Sequence, residues 1–254
     1  MNISIVGAGN VATQLAIAFR SAGHRIIEIV ARNEEHGAAL AKNVDAEFNS
    51  NLKALAGADI YIIAVKDDAI SDVATRIDVE GKIVAHTSGV KPIFLLTDAS
   101  ATHGVFYPLQ TMTRHQQLNF AEVPIIIEGN DEVTASILAQ LAKSISTKVY
   151  RVNEQQRQWI HVAAVFANNF TNHFYSIAEK LLNEQGVSIE ILLPLILRSA
   201  ENIQHNSPKV LQTGPAVRGD FRTIDRHLQM LRDDEKLQAL YRSVTESILR
   251  GRGI

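Results

Sequence analysis

The chain has 254 residues, which is room for one large domain or two small ones at the usual ~100 to 200 residues per domain. Its 46% hydrophobic and 20% charged residues are those of a folded globular protein, and the absence of cysteine removes disulfides, thiolate metal sites and cysteine nucleophiles. The 25 Lys and Arg nearly cancel the 27 Asp and Glu, so no global field draws nucleic acid or an anionic membrane. The first residues run straight into Ile3-Ser4-Ile5-Val6 with no basic or apolar leader, and the longest apolar runs, 60–65 and 191–197, are about a third of the roughly 20 residues that a membrane helix needs. The expectation is a cytoplasmic protein with a small-molecule substrate and neither nucleic acid nor membrane as partner.

Up to about residue 150 short apolar runs alternate with helix-like stretches, and nine of the 14 glycines lie in this part. Such a rhythm belongs to a parallel sheet with crossover helices. Strands are predicted at 2–6, 25–31, 45–48, 60–65, 82–87, 104–107, 124–128 and 147–151, with helices between them, as at 10–22 and 132–144. The unbroken apolar run Ile60-Tyr61-Ile62-Ile63-Ala64-Val65 reads as a strand covered on both faces. Beyond residue 152 the strand signal stops. One helical pattern without glycine or proline runs over 154–185, Gly186 ends it, and Ser188 caps the next helix. After a turn-rich segment at 206–220, two more helices are predicted at 221–232 and 234–250. The fold class is therefore α/β, a doubly wound parallel sheet over 1–151 followed by an all-helical domain over 152–254.

Gly7-Ala8-Gly9-Asn10-Val11-Ala12 follows the first strand and opens a helix, the setting that gives a G-x-G-x-x-G/A pattern its meaning. Gly7 makes the turn, Gly9 lets a pyrophosphate approach the backbone, and the amides at Asn10 and Val11 with the helix dipole favour its charge. A plain βα turn is the alternative. At the end of the second strand, Ile29-Val30-Ala31-Arg32-Asn33 carries arginine where an NAD site usually carries an acid. A guanidinium binds a 2′-phosphate with charge-assisted bonds, so Arg32, with Asn33 beside it, points to NADP(H); a solvated arginine is the alternative. Glu28 lies too early in that strand to reach the ribose. Because ligands in open sheets sit beyond the carboxyl ends of strands, Val65-Lys66-Asp67-Asp68 is expected to border the nicotinamide ribose. His86-Thr87-Ser88-Gly89 is expected to reach nicotinamide or substrate. Each also reads as an ordinary βα loop with N-caps.

In the long helical stretch, His161, Val165, Asn168 and Asn172 fall on one face at α-helical spacing, with Asn169 and His173 on the neighbouring stripe. Asparagine is a poor helix former, so three of them among alanines and aromatics suggest hydrogen bonding to something in a cleft, or else to neighbouring helices or a dimer partner. His161 is a candidate general acid. Histidines 161 and 173 are too far apart along one helix to share a metal, and no metal is expected. Thr213-Gly214-Pro215-Ala216-Val217-Arg218-Gly219-Asp220 is a glycine-framed loop with one cation and one anion, read either as a carboxylate anchor or as an internal ion pair.

Taken together, the glycine loop, the Arg32 strand end, Asp67-Asp68-Ala69-Ile70, His86-Thr87-Ser88-Gly89, Pro108-Leu109-Gln110-Thr111, Ala163-Ala164-Val165-Phe166-Ala167-Asn168-Asn169-Phe170 and the 213–220 loop resemble the Rossmann-like, DUF2520-containing NADP oxidoreductases. The likeness covers nearly the whole chain. That group is similar in plan to pyrroline-5-carboxylate reductase, the F420-dependent NADP reductases and the 3-hydroxyacid dehydrogenases. The resemblance implies a Rossmann NADP-binding domain and a helical domain like the C-terminal one of 6-phosphogluconate dehydrogenase. It also implies a homodimer through the helical domain and an active site in the cleft between the domains. Two departures stand out. The hydroxyacid dehydrogenases use a helix lysine and an asparagine four residues later, whereas Asn168 and Asn172 hold that spacing here without a lysine. Tyr107 stands where many relatives have histidine before Pro-Leu-Gln.

The expected activity is hydride transfer between NADP(H) and a small carbonyl, imine or hydroxyacid, the protein supplying position and the cofactor the chemistry. His161 or Tyr107 would donate the proton, Asn168 and Asn169 would hold the substrate oxygen, and Arg218 would pair with a substrate carboxylate, with Asp220 and Ser88 also expected to bind substrate. Gly7, Gly9, Asn10, Val11, Arg32, Asn33, Val65, Lys66 and Thr87 would bind the cofactor. The alternative is a catalytically silent NADP-binding regulatory or interaction protein, suggested by the missing lysine. A methyltransferase binding S-adenosylmethionine ranks third, since the ribose-binding acid is absent at Arg32.

Overall fold

The computed structural model of the chain describes residues 1–79, 81–114 and 118–251. Two compact units, Met1–Asn172 and His173–Ile254, divide it. The strand pattern used to place a boundary after 151 ends at Arg151, and the first unit runs on through the helical residues that follow.

In chain order the first unit contains β1 (Asn2–Val6), α1 (Asn10–Ser21), β2 (Arg25–Val30), α2 (Glu34–Val44), β3 (Glu47–Asn49), β4 (Ile60–Ile63), α3 (Ile70–Ala74), β5 (Ile83–His86), β6 (Thr102–Pro108), β7 (Ile125–Gly129), α4 (Glu132–Lys143), β8 (Val149–Arg151) and α5 (Glu154–Ala164). The eight strands form one sheet in the order β3-β2-β1-β4-β5-β6-β7-β8. All neighbours are parallel except β6 and β7, where Tyr107 faces Ile126 in an antiparallel pair. Every predicted strand is present to within a few residues. The chain winds outward in both directions from β1 and β4, and this reversal of strand order is where an open sheet leaves a crevice at its carboxyl edge.

Side-chain alternation explains how the sheet is covered. Ile5, Ile62, Ala85, Phe106 and Ile127 pack on one face with Leu15 and Phe19 of α1, Leu40 of α2 and Leu138 of α4. Val6, Tyr61, Ile63 and Val84 pack on the other with Ile70 and Val73 of α3. All four residues of β4 are buried, as a strand covered on both faces requires.

The predicted helix over 154–185 is interrupted. After α5 the residues Val165–Phe170 form a π turn, and α6 (Thr171–Asn183) follows it. The wider i→i+5 turn changes the angular register, so α-helical spacing no longer holds from His161 to Asn172, and one common face for these residues is not kept. The hydroxyl of Thr171 donates to the Phe166 carbonyl at 3.1 Å, occupying an acceptor at the turn. Gly186, at φ 71°, follows α6, and Ser188 accepts from the Glu190 amide to start the next turn. Then come α7 (Leu193–Asn202), α8 (Pro208–Leu211), α9 (Pro215–Arg218), α10 (Phe221–Met230) and α11 (Glu235–Arg250). The turn-rich segment therefore holds two single-turn helices, each begun by a proline whose fixed φ suits the first helical position. Among the described residues no helix is long and apolar enough to cross a membrane.

Candidate active site

The loop after β1 has the geometry that the glycine pattern demands. Gly7 sits at φ +130° and its amide donates to the Val30 carbonyl at 2.8 Å, so it joins the ends of β1 and β2. A Cβ at Gly7 would strike the Ala64 carbonyl at the end of β4, so φ and space both require glycine. Gly9 differs: its φ is −83° and a Cβ there would meet nothing within 4 Å. It faces open space in front of α1. No side chain caps α1 and no acid lies in its first turn, whereas Asn33, Asp131 and Asn153 cap α2, α4 and α5. The exposed N-terminus of α1, with Asn10 and Val11 in its first turn, keeps its dipole available to an anion. Ala12 is fully buried and lets α1 lie close to the sheet.

At the end of β2, Arg32 is exposed and forms no ion pair among the described residues. Asn33 uses its side-chain oxygen to cap α2 through the His36 amide. Glu28 is buried and accepts from Ser4, Asn49 and the Ala56 amide, so it ties three strands together and faces no ligand. Val65 is half-buried after β4 and Lys66 exposed. Beyond β5, the Thr87 amide bonds to the Ile63 carbonyl at 3.2 Å. The buried Ser88 hydroxyl accepts from the Val90 and Lys91 amides.

The carboxyl end of β6 brings the two expected proton donors together. The Tyr107 hydroxyl lies 3.2 Å from His161 Nδ1. Either direction of that bond leaves one N–H or O–H of the pair free to donate. Burial, and then the charge of Asp67, hold the Tyr107 phenol above its ordinary value against a smaller opposite pull from Arg157, so it keeps its proton at neutral pH. A Cβ at Gly89 would come within 2.8 Å of both His161 Nδ1 and Tyr107 Cζ, so glycine is what lets the β5 loop lie against this pair. Asn168 donates to the Thr111 hydroxyl at 2.8 Å, fixing the π turn on the loop after β6. Asn169 is exposed in the same turn.

Sequence reasoning missed what holds this edge in place. Arg157, one helical turn before His161, is fully buried. Its Nε donates to Glu128 at 2.9 Å and its Nη1 to the Ser88 carbonyl at 3.2 Å. The Ser88 amide in turn donates to His86 Nδ1 at 3.1 Å, placing the ring proton of neutral His86 on Nε2. Desolvation, reinforced by the Arg157 charge, lowers the His86 pKa to about 4. Nη2 of Arg157 and Nε2 of His86 have no hydrogen-bond partner among the described residues. Flanked by Glu154, Gln155, Gln156 and Gln158, Arg157 reads in the sequence as one more solvated residue. Arg114, which donates to the Ala8 carbonyl inside the glycine loop, was missed for the same reason.

In the helical unit, Gly214 and Gly219 take φ of 109° and 65° around α9. Arg218 is exposed. Asp220 caps α10 by accepting from the amide and hydroxyl of Thr223 at 3.1 and 2.7 Å. Those bonds, with smaller help from Arg218 and Arg222, hold its carboxyl below the usual range. It forms no ion pair with Arg218 among the described residues. No cluster of three or more His, Asp or Glu suited to a metal occurs among them either.

A family model for NADP oxidoreductase, coenzyme F420-dependent, matches residues 2–88, and the domain of unknown function DUF2520 matches residues 123–248. A Bacteroides fragilis protein, BF3122, whose crystal structure is described as that of a "putative NADP oxidoreductase", is 38% identical over 98% of both chains, with a TM-score of 0.89. The chain belongs to this NADP oxidoreductase family. Pyrroline-5-carboxylate reductase from Streptococcus pyogenes shares the fold at 15% identity over 100% of this chain and 99% of its own, with a TM-score of 0.65. A reductive aminase from Aspergillus terreus, solved with NADPH and ethyl-5-oxohexanoate, does so at 14% identity over 98% and 93%, with a TM-score of 0.77. No curated protein matches. NADP(H) is the cofactor of the family, and the turn at Gly7, the open space at Gly9, the start of α1 without a side-chain cap and the exposed Arg32, unpaired among the described residues, fit it.

Proposed function

We propose that the protein is an NADP(H)-dependent reductase or dehydrogenase acting on a small carbonyl, imine or hydroxyacid. The Tyr107–His161 pair carries this reading, because it sets a proton donor at the same carboxyl edge of the sheet as the glycine loop. When bound, NADP(H) supplies or accepts the hydride. The pair delivers the matching proton to the substrate oxygen or nitrogen in reduction, Tyr107 retaining its hydrogen at neutral pH, and takes that proton up in oxidation. Asn168 is pinned through its amide nitrogen and presents its oxygen as an acceptor, with Asn169 beside it. Ser88, whose oxygen accepts two amide bonds, has its own hydroxyl proton to donate. Arg32 binds the 2′-phosphate. The reductive aminase complex with a keto ester and the pyrroline-5-carboxylate reductase likeness favour a C=O or C=N bond as the group reduced.

NADPH oxidation measured across a panel of keto acids and cyclic imines tests this. At least one should turn over, and Tyr107→Phe and His161→Ala should each reduce that turnover by about 10² or more while NADPH still binds. Turnover unchanged in both variants removes the pair from the chemistry. In Asn168→Ala a smaller loss is expected, again with binding intact.

We also propose a homodimer through the helical unit. Among the described residues its buried apolar side chains are Ala216, Ile224 and Leu228. Ile191, Leu195, Leu197, Val210, Phe221 and Met230 are more than half exposed. A unit of this size with so small a core needs a covering surface, and a second copy supplies one of the same character. A dimeric mass at micromolar concentration is expected; a monomer contradicts it. The cysteine-free sequence accords with a cytoplasmic location.

A further inference from the structure

Arg114 lies in the loop after β6, and that loop is fastened to the glycine turn. The Asn10 side chain donates to the Met112 carbonyl at 2.9 Å and Gln14 to the Thr113 carbonyl at 2.7 Å. The fastening sets Arg114 over the loop between β1 and α1, where its Nη2 donates to the Ala8 carbonyl at 3.0 Å and lies 3.3 Å from His36 Nδ1. His36 belongs to the first turn of α2, and its amide is held by Asn33, the neighbour of Arg32. One guanidinium thus bridges the glycine loop and the start of α2, the two segments that border the adenosine ribose in a dinucleotide fold. A guanidinium has five donors, and among the described residues this one meets a backbone carbonyl and an imidazole. No carboxylate pairs with it among the described residues. Glu34 and Glu35 lie in the first turn of α2, and their charge opposes an anion here, an effect that a second cation beside Arg32 would offset.

We propose that Arg114, with His36 as its rest, is the second cationic arm of the 2′-phosphate subsite and sets the preference for NADP(H) over NAD(H). This rests on reading the glycine loop and Arg32 as the dinucleotide site. Arg114 keeps donors of its fork to spare for phosphate oxygens without releasing Ala8, and the bidentate geometry that a guanidinium offers is what a phosphate monoester takes.

Fluorescence titration with NADPH and NADH, and calorimetry with 2′,5′-ADP against 5′-AMP, test it in the full-length protein. Arg114→Met should weaken NADPH and 2′,5′-ADP roughly tenfold to a hundredfold and leave NADH and 5′-AMP within about twofold. Arg114→Lys, which keeps the charge and loses the fork, should fall between. If Arg114→Met does not fold, the lysine variant decides, and an unchanged NADPH to NADH ratio in it overturns the proposal. Equal loss with both nucleotides also overturns it, since Arg114 would then brace the glycine loop alone. If Arg32→Ala abolishes the preference while Arg114→Met does not, the cofactor site stands and the second arm falls. If the wild type binds NADPH and NADH alike, the reading of the whole subsite fails.

Discussion

Two polar regions lie at the carboxyl edge of one sheet, and they are built in opposite ways. Around the glycine loop, Gly9, Asn10 and Arg32 are exposed, α1 has no side-chain cap, and the positive charge is unpaired among the described residues. Around α5, Arg157 and the neutral His86 are fully buried: the Arg157 charge is spent inside the protein on Glu128 and the Ser88 carbonyl, and His86 Nδ1 accepts from the Ser88 amide. Groups left open at low cost in water are those that a ligand completes. Groups desolvated and bonded internally fix the shape of what surrounds them. Arg157 therefore acts through the β5 loop and α5 on where Gly89, Tyr107 and His161 meet, without itself meeting substrate.

Removing the buried cation should give the largest effect. Arg157→Met leaves Glu128 as a largely buried charge without its partner, a change that costs about 3–5 kcal/mol in comparable cases. Urea unfolding should show that loss, and pairing the variant with Glu128→Gln should recover much of it. If instead Arg157→Met unfolds at the wild-type midpoint and loses NADPH, the contrast between an open and an internal region is wrong.

Acid should expose the same region next. His86, with its pKa lowered to about 4, takes up a proton more readily in the unfolded chain. Its contribution is complete above the unfolded value near 6.5 and is lost as pH falls through 4, a change of about 3 kcal/mol at most. Glu128 acts in the opposite sense. Burial, helped by the charge of Glu154, holds its carboxyl above the ordinary value against the opposing pull of Arg157, so its contribution is present at low pH, is lost as pH rises through the raised value, and offsets part of the acid loss. His86→Asn should flatten the fall in stability between pH 6.5 and 4, whereas an unchanged slope would mean that His86 is hydrated in solution.

The two regions also differ in how far the sequence reveals them. The glycine loop is local: the strand, turn and helix that give Gly7 and Gly9 their roles lie within a few residues, and local pattern is what a sequence displays. The eight strands were legible for the same reason. The pairing of Tyr107 with His161 was not, although both residues stood out, because it joins a strand end to a helix 54 positions later. Arg157 was invisible, since burial overrides the polar character of its neighbours only once α5 packs on the sheet. The π turn at Val165–Phe170 escaped because no glycine or proline marks where i→i+4 bonding gives way. The asparagines there were noticed as poor helix formers, and that signal could have located the turn.

The smallest effects on stability sharpen the contrast within the glycine loop itself. Gly7→Ala places a side chain at φ +130° and against the Ala64 carbonyl, so it should cost at least about 1–3 kcal/mol by thermal or urea unfolding. Gly9→Ala adds its methyl where nothing lies within 4 Å and φ is −83°. On stability alone it should be neutral or gain up to about 1 kcal/mol, because it stiffens the unfolded chain. What the methyl does meet is the space in front of the α1 amides, where a pyrophosphate would approach the backbone. NADPH and NADH should therefore both weaken, by about tenfold or more on the scale of a lost charge-assisted bond, with the ratio between them unchanged. That even loss separates Gly9 from Arg32 and Arg114, whose removal should act on the 2′-phosphate alone. A Gly9→Ala variant that binds both nucleotides at full strength would move the pyrophosphate away from α1, and the open start of that helix would then need another explanation.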